Sequence, residues 1–185
     1  MTGNVYFPSN RVGKGFDLGN LKMTENDYEA LKKLEDAFER KDLPYFKSFL
    51  QTSGNLPLLL RVHSVCMLEH IGDEEMVEPL CQVLKHDSSP LTRHEAAFTL
   101  GQLGYRSAVR ALVEAMLQDE SPIVRHESAV ALSSIGDSSI IPELKRAIDD
   151  KDEDVSNSAL IAYEYLTYLQ RRHGNDDAAK TKIRL

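Results

Sequence analysis

Residues 89–104 read SPLTRHEAAFTLGQLG and residues 121–136 read SPIVRHESAVALSSIG, a return at a shift of 32 residues. Self-similarity at such a period restricts a chain to repeat architectures, in which each unit covers a face that its neighbour cannot bury alone. At that shift Ser89, Pro90, Arg93, His94, Glu95, Ala97, Leu100 and Gly104 fall on Ser121, Pro122, Arg125, His126, Glu127, Ala129, Leu132 and Gly136. Most of these matches have a folding cause. Ser89 and Ser121 are placed to cap helix N-termini with their side chains, and Pro90 and Pro122 suit a first turn whose amides have no partner. Gly72, Gly104 and Gly136 end helices where a left-handed residue costs least. The His-Glu pair has no such cause.

Periodicity divides the chain. Thr24 with Asp27 forms a capping box, and Asp42 opens a second short helix, so residues 24–52 read as a cap hairpin. Repeats follow at about 56–86, 90–118 and 122–149, and a terminal helix at 154–171 begins DVSNSALIAYEYL, aligned with the third unit at a shift of 31. Residues 24–172 thus form one repeat domain. Residues 1–23, glycine-rich with scattered aromatics, read as a mobile arm, and the polar residues 173–185 as a flexible tail. No segment alternates as a strand does. The expected fold is all-α, an α-solenoid of stacked short HEAT-like helical hairpins. The period is short for HEAT or armadillo units and resembles the short HEAT-like repeats of phycobilin lyases.

Charge narrows the partners. A net charge of −7 argues against a nucleic-acid surface, which needs concentrated Lys and Arg, and suits a cationic substrate. No apolar run nears the roughly 18 residues that span a bilayer, and the N-terminus lacks the plan of a signal peptide, so no membrane role and a cytoplasmic location are expected. Cys66 and Cys81 fall at apolar helical positions and read as buried free thiols.

The His-Glu pairs carry the chemistry. On the helix from Pro122, the residues Val124, Ala131, Leu132 and Ile135 define a buried stripe, and His126 lies off it with Ala129, Val130 and Ser133. His94 shares its face with Ala97, Phe98 and Gly101, as though small residues left room beside each His. Stacked repeats bring equivalent helices to roughly 8–10 Å, so that His94 and His126 can lean toward one point. One Glu then completes two imidazoles and a carboxylate, a set that suits non-haem Fe(II), although Zn and Mn use similar ligands. His63 aligns with Glu95 while Val62 holds the His position, so His63 is structural or marginal. His70, His86 and His173 lie near helix ends or in the tail, and Asn157 with Ser158 replaces the pair in the last unit, which reads as a cap. No HExxH, CxxC, ExxH or glycine-rich phosphate loop occurs, which excludes zincin, zinc-ribbon, ferritin-like and nucleotide-binding chemistry.

At TRHEAAFTLGQLG and IVRHESAVALSSIG, and from about Leu58 to Leu166, the chain resembles deoxyhypusine hydroxylase. That resemblance implies a di-iron, oxygen-activating hydroxylase acting on a modified lysine of translation factor 5A. The family carries four His-Glu pairs in two similar halves, and this chain has two, so it resembles one half. Carried over by position, His94, His126 and Glu127 are the expected metal ligands, and Glu95 is expected to face the substrate amine or to lie behind the ligands. A single half cannot close the site. The resemblance therefore implies a homodimer with two irons, the same patch of each chain meeting across a two-fold axis. The alternative is a non-catalytic HEAT-like interaction or chaperone module, since solenoids mostly serve as binding surfaces.

Overall fold

The computed structural model describes residues 23–182, with side chains through Arg172, so nearly all of the expected arm lies outside the described residues. The helices are α1 (Glu25–Glu39), α2 (Leu43–Thr52), α3 (Leu58–Ile71), α4 (Val77–His86), α5 (Pro90–Leu103), α6 (Val109–Gln118), α7 (Pro122–Ile135), α8 (Ile141–Ala147) and α9 (Glu153–Lys182). No strand occurs among the described residues, and the all-α solenoid stands. Helices α3, α5, α7 and α9 pack side by side in one layer that α1 begins, while α2, α4, α6 and α8 form the other. The period fixes this stacking from within: Leu68, Leu100 and Leu132, one from each unit, are all fully buried. Helix α9 continues past Arg171 to Lys182. Its last stretch, DDAAKTK, contains no proline to stop it.

Helices open differently from the sequence expectation. The Thr24 and Asp27 capping box forms as expected. Ser89 and Ser121 occupy N-cap positions, but their hydroxyls cap nothing. The carboxylates two residues earlier instead bind the cap residues' own amides: Asp87 accepts from the Ser89 N–H and Asp119 from the Ser121 N–H, each at 2.8 Å. A charged acceptor makes the stronger bond, and Asp reaches an amide two residues on without strain. The same carboxylates bind the repeated arginine. Arg93 meets Asp119 with two bonds of 2.8 and 2.9 Å and reaches the Asp87 carbonyl at 2.9 Å. Arg125 repeats this on Asp150 at 2.8 and 2.9 Å and on the Asp119 carbonyl at 2.9 Å, and Arg61 pairs with Asp87. An arginine ladder thus ties each unit to the next.

Two further expectations change. Gly104 and Gly136 adopt the left-handed conformation at φ 73° and 76°, but Gly72 is extended at φ −67°. Crowding is what keeps Gly72 small, since a Cβ there would lie 2.6 Å from the Leu68 carbonyl oxygen. The small residues beside His94 also do not leave room. Gly101 is buried against α7, and a Cβ on it would stand 2.8 Å from both Cα and Cβ of Ala131. These residues let α5 and α7 approach closely, which sets the distances at the site.

Candidate metal centre

His94 and Glu95 lie in the second turn of α5, and His126 and Glu127 in the second turn of α7, after the Ser-Pro starts that keep the two helices in register. Register and close approach bring the Glu of one unit onto the His of the unit before it. His94 Nε2 stands 3.4 Å from Glu127 Oε2, and His94 Nδ1 stands 3.4 Å from Glu95 Oε1. Both lie beyond the usual ~2.9 Å of a hydrogen bond. The Nδ1 atom is buried without a hydrogen-bond partner. Glu127 is 8% exposed, an unusual burial for a carboxylate that forms no ion pair with Arg or Lys among the described residues.

Electrostatics here centre on His94. Burial alone pulls its pKa down, but the Glu127 and Glu95 carboxylates outweigh that effect and push it up to about 9. In return, His94 holds the Glu95 carboxyl below its usual range. The proton on His94 therefore offsets carboxylate charge that would otherwise be desolvated.

His126 does not join this cluster. Its Nδ1 lies 2.7 Å from the Ser158 hydroxyl and 3.4 Å from the Asp154 carbonyl oxygen, both on α9. Among the described residues no group of three or more His, Cys, Asp or Glu is arranged to hold a metal ion. The structure thus brings His94, Glu95 and Glu127 together and leaves His126 beside them on α7.

Two contacts escaped the sequence reading. Cys66 of α3 is half-buried rather than buried, and its thiol points to Glu95 Oε2 at 3.5 Å. Burial, and then Glu95, push that thiol up to about 12, which keeps it protonated and unreactive. The signal was its spacing: Val62 holds the His position of its unit, and Cys66 follows four residues on, one turn along the same face. Ser158, read as part of a cap, instead contacts His126. His63 packs half-buried with its pKa lowered by burial, partly opposed by Glu35, and His70 sets its ring edge against Phe38 at 6.4 Å. Neither touches the cluster.

Two of these donors stand at a spacing compatible with a shared divalent ion. A spacing of 3.4 Å between His94 Nε2 and Glu127 Oε2 is that of two ligands each ~2.1 Å from one ion at a near-tetrahedral angle. Imidazole with carboxylate suits Fe, Mn or Zn alike.

The family model described as HEAT repeats matches residues 58–164, and the chain belongs to this HEAT-repeat family. Within it, the chain is similar to deoxyhypusine hydroxylases. It is 39% identical to that of Dictyostelium discoideum over 133 residues, covering 71% of this chain and 42% of the relative. It is 39% identical to that of Schizosaccharomyces pombe over 95 residues, covering 48% of this chain and 29% of the relative. The structure of human deoxyhypusine hydroxylase in complex with glycerol aligns with a TM-score of 0.63 at 28% identity, over 75% of this chain and 47% of that one. The chain spans less than half the length of these relatives. No helix among the described residues is long and apolar enough to cross a membrane.

Proposed function

We propose that the chain is a non-haem di-iron, oxygen-activating hydroxylase whose site closes between two copies, each supplying His94, His126 and Glu127 to one iron. The observation that carries this reading is the contact of His94 with the buried Glu127 carboxylate across adjacent repeats, at ligand spacing. Similarity to deoxyhypusine hydroxylases over roughly half their length supports it. The metal supplies oxygen activation when bound. The chain's residues do the rest. His94 and Glu127 set two ligand positions through the α5–α7 packing, and Glu95, beside His94 but outside the ligand set, offers a carboxylate to a cationic amine such as a lysine-derived side chain. Docking of two copies shields the centre from water, and an isologous contact presents the same residues from both chains. The net charge of −7 favours a cationic substrate.

A second reading, a non-catalytic HEAT-like interaction module, is favoured by one observation: His126 stands apart from the His94 cluster, turned to Ser158. Ligand variants separate the two. After anaerobic Fe(II) loading and removal of free metal, His126→Ala and Glu127→Gln are expected to lose most of the iron the wild type retains, with unchanged circular dichroism. A His126→Ala protein that keeps its full iron would remove this ligand assignment.

A further inference from the structure

The contact between α7 and α9 fixes which nitrogen of His126 carries a proton. The Ser158 hydroxyl lies 2.7 Å from the Asp154 carbonyl oxygen and 2.7 Å from His126 Nδ1. It has a single hydrogen, and a carbonyl oxygen only accepts. That hydrogen must go to Asp154, because otherwise two acceptor oxygens would face each other at 2.7 Å with no proton between them. The bond to His126 is then donated by the ring, from Nδ1–H into the Ser158 oxygen. The Asp154 carbonyl, 3.4 Å from the same nitrogen, is too far to hold that proton by itself but is compatible with it. A neutral ring protonated on Nδ1 carries its free lone pair on Nε2, which makes no hydrogen bond to the described residues.

The repeat explains why Ser158 stands there. At the shift of 31 that aligns α9 with α7, Ser158 falls on Glu127. Glu127 reaches back to Nε2 of the His of the unit before it, and Ser158 reaches back likewise but to Nδ1 of His126. The Ser158 hydroxyl orients the ring through Nδ1. A ligating imidazole generally donates its other N–H to a carbonyl, carboxylate or water, and that partner sets tautomer and ring direction.

We propose that Ser158 is a positioning residue that holds His126 in its Nδ1–H form and thereby offers Nε2 as the metal-binding nitrogen. The inference rests on the metal-binding reading above, and its test separates the two. Nitrogen-15 spectra of the histidine rings in the metal-free protein, with His126→Ala to assign the signal, read the tautomer directly. The wild type is expected to show His126 protonated on Nδ1, and Ser158→Ala to release the ring into both forms. The same variant is expected to bind Fe(II) about 10–100-fold more weakly, and Ser158→Thr, which keeps the hydroxyl, to restore both readouts. A wild-type ring protonated on Nε2 would overturn the proposal, as would Ser158→Ala with wild-type tautomer and affinity. A wild type that takes up no Fe(II) refutes metal binding, while the tautomer still decides what Ser158 does to the ring.

Discussion

Replacing Arg93 with Ala is expected to lower the unfolding free energy by about 3–5 kcal/mol, the cost of leaving a buried charge without its partner. The Arg93 and Asp119 side chains are only 8% and 9% exposed, and their pairing uses both carboxylate oxygens. Removing the guanidinium strands Asp119, which also caps α7 through the Ser121 N–H. It also frees the Asp87 carbonyl that Arg93 Nη1 reaches. One substitution thus removes both bonds from α5 to Asp119 before the third unit and one to the Asp87 carbonyl before the second. For a domain of this size the midpoint of thermal unfolding should fall by on the order of 10 °C. Arg106→Ala, at an exposed position, is the control and should stay within about 0.5 kcal/mol. Chemical denaturation of the two variants checks the difference, and equal losses would mean that the ladder is not what joins the units.

Gly101→Ala carries the second large effect, and it acts on the site as well as on the fold. The added methyl would meet Ala131 Cα and Cβ at 2.8 Å, and backbone cannot move aside as a flexible side-chain end can. Overpacking of this kind costs about 1–3 kcal/mol. Relief requires α5 and α7 to separate, and the His94–Glu127 spacing of 3.4 Å is set by that same approach. Iron retention should therefore fall together with stability, although Gly101 touches no donor. Gly54, where an added Cβ meets nothing within 4 Å, is the matched control. A Gly101→Ala chain with wild-type stability and iron content would show that the helix approach does not set the site.

The sequence displayed the stacking because each unit spends Leu, Pro and Gly at fixed places for local reasons. Leu100 and Leu132 recur at one spacing and are both buried, and Gly104 and Gly136 end their helices in the one conformation that favours glycine. The starts of helices were less legible. Ser89 and Ser121 are good capping residues in isolation, but their hydroxyls cap nothing, and Asp87 and Asp119 two residues before them bind the serines' own amides. The second helix of each unit begins with a short 3-10 turn, at Glu74–Met76, Arg106–Ala108 and Ser138–Ile140, which periodicity does not separate from the helix that follows.

The sequence singled out His94, Glu95 and Glu127, which the structure brings together, and also His126, which stands apart from them beside Ser158. His94 and Glu95 are adjacent in sequence, yet His94 meets Glu127 of the next unit through Nε2 at the same 3.4 Å at which its Nδ1 meets Glu95. A pattern that prints His-Glu twice conceals this offset, because contacts between repeats depend on how far one helix slides along another. The same offset hid Ser158, which became significant once Glu127 was seen to reach backward by one unit. Gly101 illustrates the converse. A small residue beside a histidine can mean room for a ligand or room for a helix, and only the packing distinguishes them.

The most direct test of the account is iron content and molecular mass measured on one sample. After anaerobic Fe(II) loading, the account predicts one iron per chain and a sedimenting mass twice the 20.8 kDa of the chain. A strictly monomeric protein that retains no iron would contradict it.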